Sequence, residues 1–250
     1  MHRKPVSTSS HSRLQLCSWY RTVLGRRLLR LEARYLKRFL KVPYTFTVVQ
    51  LGILGWENRY LDSGYLRSFR LIDETSAVYD SRLPAIIAHL DSLPLASESV
   101  DVLILPHTLE FASDQHQLLR EAERVLKPEG QLLVLGFQPW SFYRLYRWLP
   151  SKEPFAPWHC QPIGHRRLLD WLNLLNFAAE TNTWFDFHSL IEPGGWRDYC
   201  SSLWYVAYAV RAIKRTYTII PLRPALETSL EWSPGVLEPT IQRKQRDQIR

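Results

Sequence analysis

The stretch from residue 99 to 137 constrains this chain most, because it alternates two incompatible periodicities. SVDVLIL (99–105) is apolar almost throughout, so both faces of a strand built from it must be covered. DQHQLLREAERVLK (114–127) has a helical pattern: Leu118, Leu119, Ala122, Val125 and Leu126 form one stripe, and Arg120, Glu121, Glu123 and Arg124 face water. Pro128 and Gly130 stop that helix, and QLLVLGF (131–137) is again apolar throughout. Two doubly covered strands joined by an amphipathic helix make a parallel unit with a right-handed crossover.

The rest of the chain extends the pattern. TFTVVQLG (45–52), SFRLID (68–73) and AIIAHL (85–90) read as strands before this unit. After it come the amphipathic helix HRRLLDWLNLLNF (165–177) and two last strands, TWFDFHSL (183–190) and LWYVAYAVRAI (203–213). The expected fold is therefore α/β, a seven-stranded, mostly parallel sheet with helices on both faces, over residues 45–220. Residues 1–12 are polar and expected to be loose. From Leu14 to Leu40, Trp19, Val23, Leu24, Leu28, Leu31, Tyr35 and Phe39 recur at helical steps, with Arg26, Arg27, Arg30, Arg34, Lys37 and Arg38 on the other faces. Residues 1–44 thus read as a basic amphipathic helix or lid, and the Pro- and charge-rich residues 221–250 as a disordered tail.

Charge follows this division. Residues 1–45 hold eleven Lys or Arg against one acid, Glu32, for a net +10; residues 211–250 carry +4, which leaves the middle near −6. A polyanion such as RNA, or a membrane surface, would meet the N-terminal helix first; the plain alternative is a surface helix capping a cleft, its arginines solvated. Three cysteines without paired spacing argue against a disulfide framework. No apolar run is long enough to span a bilayer and no secretory h-region opens the chain, so the cytoplasm is expected. His159, Cys160 and His165 fit no zinc spacing, and no metal is expected.

In sheets of this kind ligands bind beyond the carboxyl ends of the strands, beside the first one. The loop Gln50-Leu51-Gly52-Ile53-Leu54-Gly55-Trp56 occupies that place. Gly52 can turn sharply and admit a ligand close to the backbone. Two glycines in this spacing disfavour a dinucleotide.

The segment LPLASESVDVLILPHTLEF (93–111), followed by LLREAERVLKPEGQLLVLGF (118–137), resembles the type-11 family of S-adenosylmethionine (SAM)-dependent methyltransferases, class I proteins with a Rossmann-like fold. Leu93-Pro94-Leu95, Val100-Asp101-Val102, His107-Thr108-Leu109-Glu110-Phe111 and Glu121 to Gly130 stand in the family's order, and the likeness covers residues 45–180. It is greatest to poorly characterised bacterial members whose first loop is also poor in glycine. The resemblance implies SAM as cofactor. It puts Gln50 at the methionine end, and Gly52 as the survivor of a glycine triplet whose other places hold Leu54 and Trp56. Asp73, with Glu74 as fallback, falls at the ribose. His89 and Leu90 fall near the adenine, where Asp91 could substitute, and Leu105, Pro106 and His107 line the cleft around the sulfonium. His107 and Glu110 are the candidates for a catalytic base, needed only for a weak, protonated nucleophile. Trp140, Phe142, Tyr143, Tyr146 and Trp148 lie in a stretch (138–163) expected to close over a small aromatic or lipophilic acceptor. The alternatives are a non-catalytic binding or scaffold protein on the same fold and a methyltransferase directed at RNA.

Overall fold

Residues 8–41, 43, 45–61, 69–74, 84–141, 160–187, 190–191 and 205–216 are described by the computed structural model. The chain divides into Met1–Thr216 and Tyr217–Arg250. Every described residue belongs to the first unit, so the tail expected to be disordered lies outside them.

Strand β4 (Val100–Pro106) sits at the centre of the sheet, as its two apolar faces require. It pairs in parallel with β1 (Val48–Leu51) on one side and β5 (Leu126–Phe137) on the other. Beyond β1 lie β2 (Phe69–Asp73) and β3 (Ala85–Ile87), also parallel. Beyond β5 the direction reverses through β8 (Ala207–Lys214), β6 (Phe177–Phe185) and β7 (Leu190–Ile191). The order is β3-β2-β1-β4-β5-β8-β6-β7, a Rossmann-like sheet flanked by helices. Among the described residues it has eight strands where seven were expected. The run 183–190 is not one strand: β6 ends at Phe185, and Leu190–Ile191 fold back to pair with Trp184 and Phe185.

Helix α3 (Gln115–Val125) is capped by Asp114, whose carboxylate accepts from Gln117 N at 2.9 Å, and it gives way to β5 at Leu126. Helix α4 (His165–Leu174) ends earlier than its apolar pattern suggests. Asn176 takes φ 59° and turns the chain, so that Phe177 already lies in β6.

The single N-terminal helix expected over 14–40 is two, α1 (Thr8–Trp19) and α2 (Val23–Phe39). The Thr22 side chain accepts from Gly25 N at 3.1 Å and starts α2 afresh. Gly25 permits the sharp joint, since a Cβ there would lie 2.2 Å from Trp19 O. Residues 8–12, expected to be loose, form the start of α1.

The helices cover both faces of the sheet. Leu16, Trp19, Leu28, Tyr35 and Leu36 pack on Ile104, Leu133 and Phe185 on one side. Leu118, Val125, Leu168 and Leu172 pack on Leu51, Leu103 and Val210 on the other. Among the described residues no helix is long and apolar enough to cross a membrane.

Candidate functional site

The carboxyl ends of β1, β2 and β4 converge under α1 and α2. β1 runs out into Gly52, which takes φ +87° and donates its N–H to Ile72 O at 2.7 Å. The loop that follows closes on itself. Glu57 Oε1 accepts from Leu54 N at 2.7 Å, Gly55 N at 3.2 Å and Gln50 Nε2 at 3.2 Å. Gln50 also donates to Gly52 O at 2.8 Å and accepts from the Tyr60 hydroxyl. Burial keeps that phenol well above its ordinary pKa, so it remains a donor. Every polar position of the Gln50 side chain is thus engaged in shaping the loop. Leu54 and Trp56 are buried in the cluster that includes Tyr20 and Tyr60, with the Trp56 ring 5.8 Å and 5.4 Å from theirs.

Asp73, at the end of β2, holds the loop from its other side. Its Oδ2 accepts from Ile53 N at 2.9 Å, and its Oδ1 from Glu74 N at 2.7 Å and from Arg13 Nη1 at 3.4 Å. Arg13 comes from α1 and is 5% exposed. Its guanidinium lies against Gly52 so closely that a Cβ on that glycine would stand 1.6 Å from Nη2. Arg13 Nε and Nη2 are buried without a hydrogen-bond partner among the described residues. Arg13 escapes a reading of the sequence because it sits between the segment expected to be loose and the expected helix.

The second cluster lies at the end of β4. His107 has φ 53° and donates its N–H to Leu135 O. The Thr108 hydroxyl reaches across to Leu51 O and ties the ends of β4 and β1 together. His107 Nδ1 is 3.1 Å from Glu110 Oε2, and Nε2 is 3.0 Å from Glu32 Oε1. The remaining carboxylate oxygens are also engaged, Glu32 Oε2 by the Tyr20 hydroxyl at 2.7 Å and Glu110 Oε1 by Phe137 N. Burial alone would lower the pKa of His107. The two carboxylates outweigh it and raise the value to about 9, which makes the ring an imidazolium donating from both nitrogens. His107, Glu110 and Glu32 are all buried, so the ring is tied to α2 and to the turn after β4 with no nitrogen left for an incoming molecule. The clue to Glu32 is its place in the sequence: it is the one acid of residues 1–45, on the apolar side of α2 beside Leu28, Leu31 and Tyr35.

Of the residues singled out from the sequence, Gly52 and Asp73 meet through Arg13, and His107 and Glu110 meet in the buried cluster. Leu105 and Pro106 are buried at the end of β4. Leu90 is buried and its N–H donates to Glu74 Oε1 at 3.3 Å, while His89 is exposed. Asp91 accepts from Ser113 Oγ at 2.8 Å. Trp140 is 76% exposed; Phe142, Tyr143, Tyr146, Trp148 and His159 lie outside the described residues. Cys160 is buried, and the His165 ring lies 4.6 Å from that of Trp184.

Residues 68–134 match the family model described as a methyltransferase domain. The uncharacterized protein YafS of Escherichia coli K12 is 47% identical over 87 residues, 35% of this chain and 36% of that protein. A ubiquinone/menaquinone biosynthesis C-methyltransferase of Hahella chejuensis is 37% identical over 59 residues, 24% of each chain. The chain therefore matches about a third and a quarter of the lengths of these two relatives. Among solved structures, a SAM-dependent methyltransferase of Thermotoga maritima, described as a possible histamine N-methyltransferase, superposes with a TM-score of 0.61 at 19% identity, over 83% of this chain and all of that one. The methyltransferase-domain match implies S-adenosylmethionine as cofactor, and the neighbour shows the fold that would hold it. The residues around Gly52 would suit its nucleoside: Asp73 offers a carboxylate suited to a diol, and Gly52, lacking a Cβ, leaves a cradle beside it. Arg13, with two unsatisfied N–H-bearing nitrogens, stands in that cradle.

Proposed function

We propose that this chain, which carries a methyltransferase domain on the class I fold, methylates a small aromatic or lipophilic acceptor with SAM. The observation that carries the reading is the meeting of Gly52 and Asp73 beside the switch point of the sheet, bridged by one displaceable side chain. Bound there, the cofactor supplies a methyl group on a sulfonium for in-line displacement. Asp73 grips the ribose after exchanging Arg13 for the diol, and Gly52 allows close approach. Leu90 and the exposed His89 border the adenine side. Leu105, Pro106 and the backbone of His107 wall the cleft near the reacting carbon. Gln50 and Glu57 act through the loop, whose shape they fix. The protein's contribution is alignment and exclusion of water. The closed hydrogen bonding of His107 and Glu110 suits a positioning role better than proton abstraction, so acceptors that ionise readily or attack through carbon fit best. The quinone methyltransferase among the relatives supports a lipophilic, ring-bearing acceptor. Three cysteines without paired spacing suit a reducing cytoplasm.

The same Arg13–Asp73 contact favours a second reading, a binding or scaffold protein whose crevice stays shut. Calorimetric titration with SAM, paired with thermal melting, separates the two. Saturable heat and a raised melting temperature support the enzyme; neither, at millimolar SAM, retires it.

A further inference from the structure

The basic face of α2 takes no part in the site. At about 100° per residue, Arg26, Arg27, Arg30, Arg34, Lys37 and Arg38 fall within roughly 120° of the helix circumference. All six are exposed, and the opposite sector, with Leu28, Leu29, Leu31, Tyr35 and Leu36, is buried in the core. The six span about 18 Å along the axis at 1.5 Å per residue. The one acid on this helix, Glu32, is buried against His107. The face therefore carries six cations and no acid from its own helix, and its packing underneath orders it in advance.

We propose that this face of α2 docks the protein on an anionic phospholipid surface. Exposed cations gathered within a third of the helix circumference face a plane together, and each cation near such a surface strengthens binding about fivefold. The face has no aromatic ring on which a base could stack, as single-stranded RNA would require. Its one exposed apolar side chain is Val23, 62% exposed, a turn before Arg26 in the same sector and suited to the boundary of a headgroup layer. The underside of the same helix reaches the end of β4 through Glu32, so about one helix diameter, roughly 10 Å, separates the docking plane from the candidate site. In its purpose this inference rests on the proposed lipophilic acceptor, which partitions into bilayers.

The test is co-sedimentation of the full chain with vesicles of phosphatidylcholine alone and of phosphatidylcholine mixed with phosphatidylglycerol. Binding should require phosphatidylglycerol and weaken steeply with added salt. Replacing Arg26, Arg27, Arg30 and Arg34 together by Gln should lower it by on the order of a hundredfold or more, and replacement by Lys should retain it. Thermal melting of the Gln variant checks that it folds, and its SAM titration should match the parent. Equal binding to both vesicle types, binding to neither, or an undiminished Gln variant would overturn the proposal. So would tighter binding to a single-stranded RNA than to the anionic vesicles at the same salt. None of these results touches the SAM titration, which alone decides the proposed activity.

Discussion

Arg13 Nη1 stands 3.4 Å from Asp73 Oδ1, joining α1 to the end of β2 across the glycine that ends β1. Both side chains are almost wholly buried. A buried ion pair offsets its desolvation only when the remaining polar atoms are also satisfied, and here Arg13 Nε and Nη2 are not. Asp73 keeps two backbone donors without Arg13, whereas among the described residues Arg13 Nε and Nη2 have no acceptor to hold them. The pair is therefore asymmetric: Arg13 can leave, and Asp73 stays built into the sheet.

Ligand entry should loosen α1. Saturation with S-adenosylhomocysteine ought to speed amide exchange in residues 13–19 while slowing it around Gly52 and Ile53. Hydrogen-exchange mass spectrometry reads both changes. Slower exchange in α1 would mean that Arg13 remains in place and clamps the ligand.

Gly52→Ala should destabilise the fold by about 2 kcal/mol or more, since it sets a Cβ against Arg13 and forces a non-glycine residue to φ +87°. In an Arg13→Ala background the steric part should vanish, leaving about 1 kcal/mol for the backbone. Urea unfolding of the four proteins in a double-mutant cycle gives the coupling. Simple additivity would place Arg13 away from Gly52.

Glu57→Ala should be worse than an ordinary surface change. It strands the buried Leu54 N and one buried proton of Gln50 Nε2, and releases the exposed Gly55 N to water, at a combined cost on the order of 3 kcal/mol. Denaturant midpoints measure it, and a loss under about 1 kcal/mol would show that the loop does not depend on this carboxylate.

The His107 cluster gives stability a pH dependence of definite sign. Its folded pKa of about 9 exceeds the unfolded value of 6.5. The stabilisation is complete below pH 6.5, declines above it and is lost as pH rises through 9, a change on the order of 3 kcal/mol. Urea melts from pH 6 to 9.5 should show the decline, and His107→Gln should flatten it. Stability rising over that range would contradict the imidazolium.

The β4–α3–β5 unit is legible in the sequence because each segment's periodicity admits one structure. Gly52 and Asp73 are legible because strand ends mark the ligand edge of such a sheet. What is hidden is long-range. Arg13 lies sixty positions from its acid, and Glu32 seventy-five from its histidine, so no local pattern joins them. The break between α1 and α2 depends on three residues inside an unbroken apolar rhythm, and only the Thr22–Gly25 cap hints at it. The run TWFDFHSL shows the converse failure: its apolar continuity conceals a reversal after Phe185.

Titration of S-adenosylhomocysteine into the parent protein, Arg13→Ala and Asp73→Asn decides whether the Gly52–Asp73 crevice is a cofactor site held shut by α1. Arg13→Ala should bind several-fold more tightly than the parent, and Asp73→Asn at least tenfold more weakly, on the order of a lost charge-assisted hydrogen bond. Weaker binding after Arg13→Ala, or no heat from any of the three proteins, would contradict it.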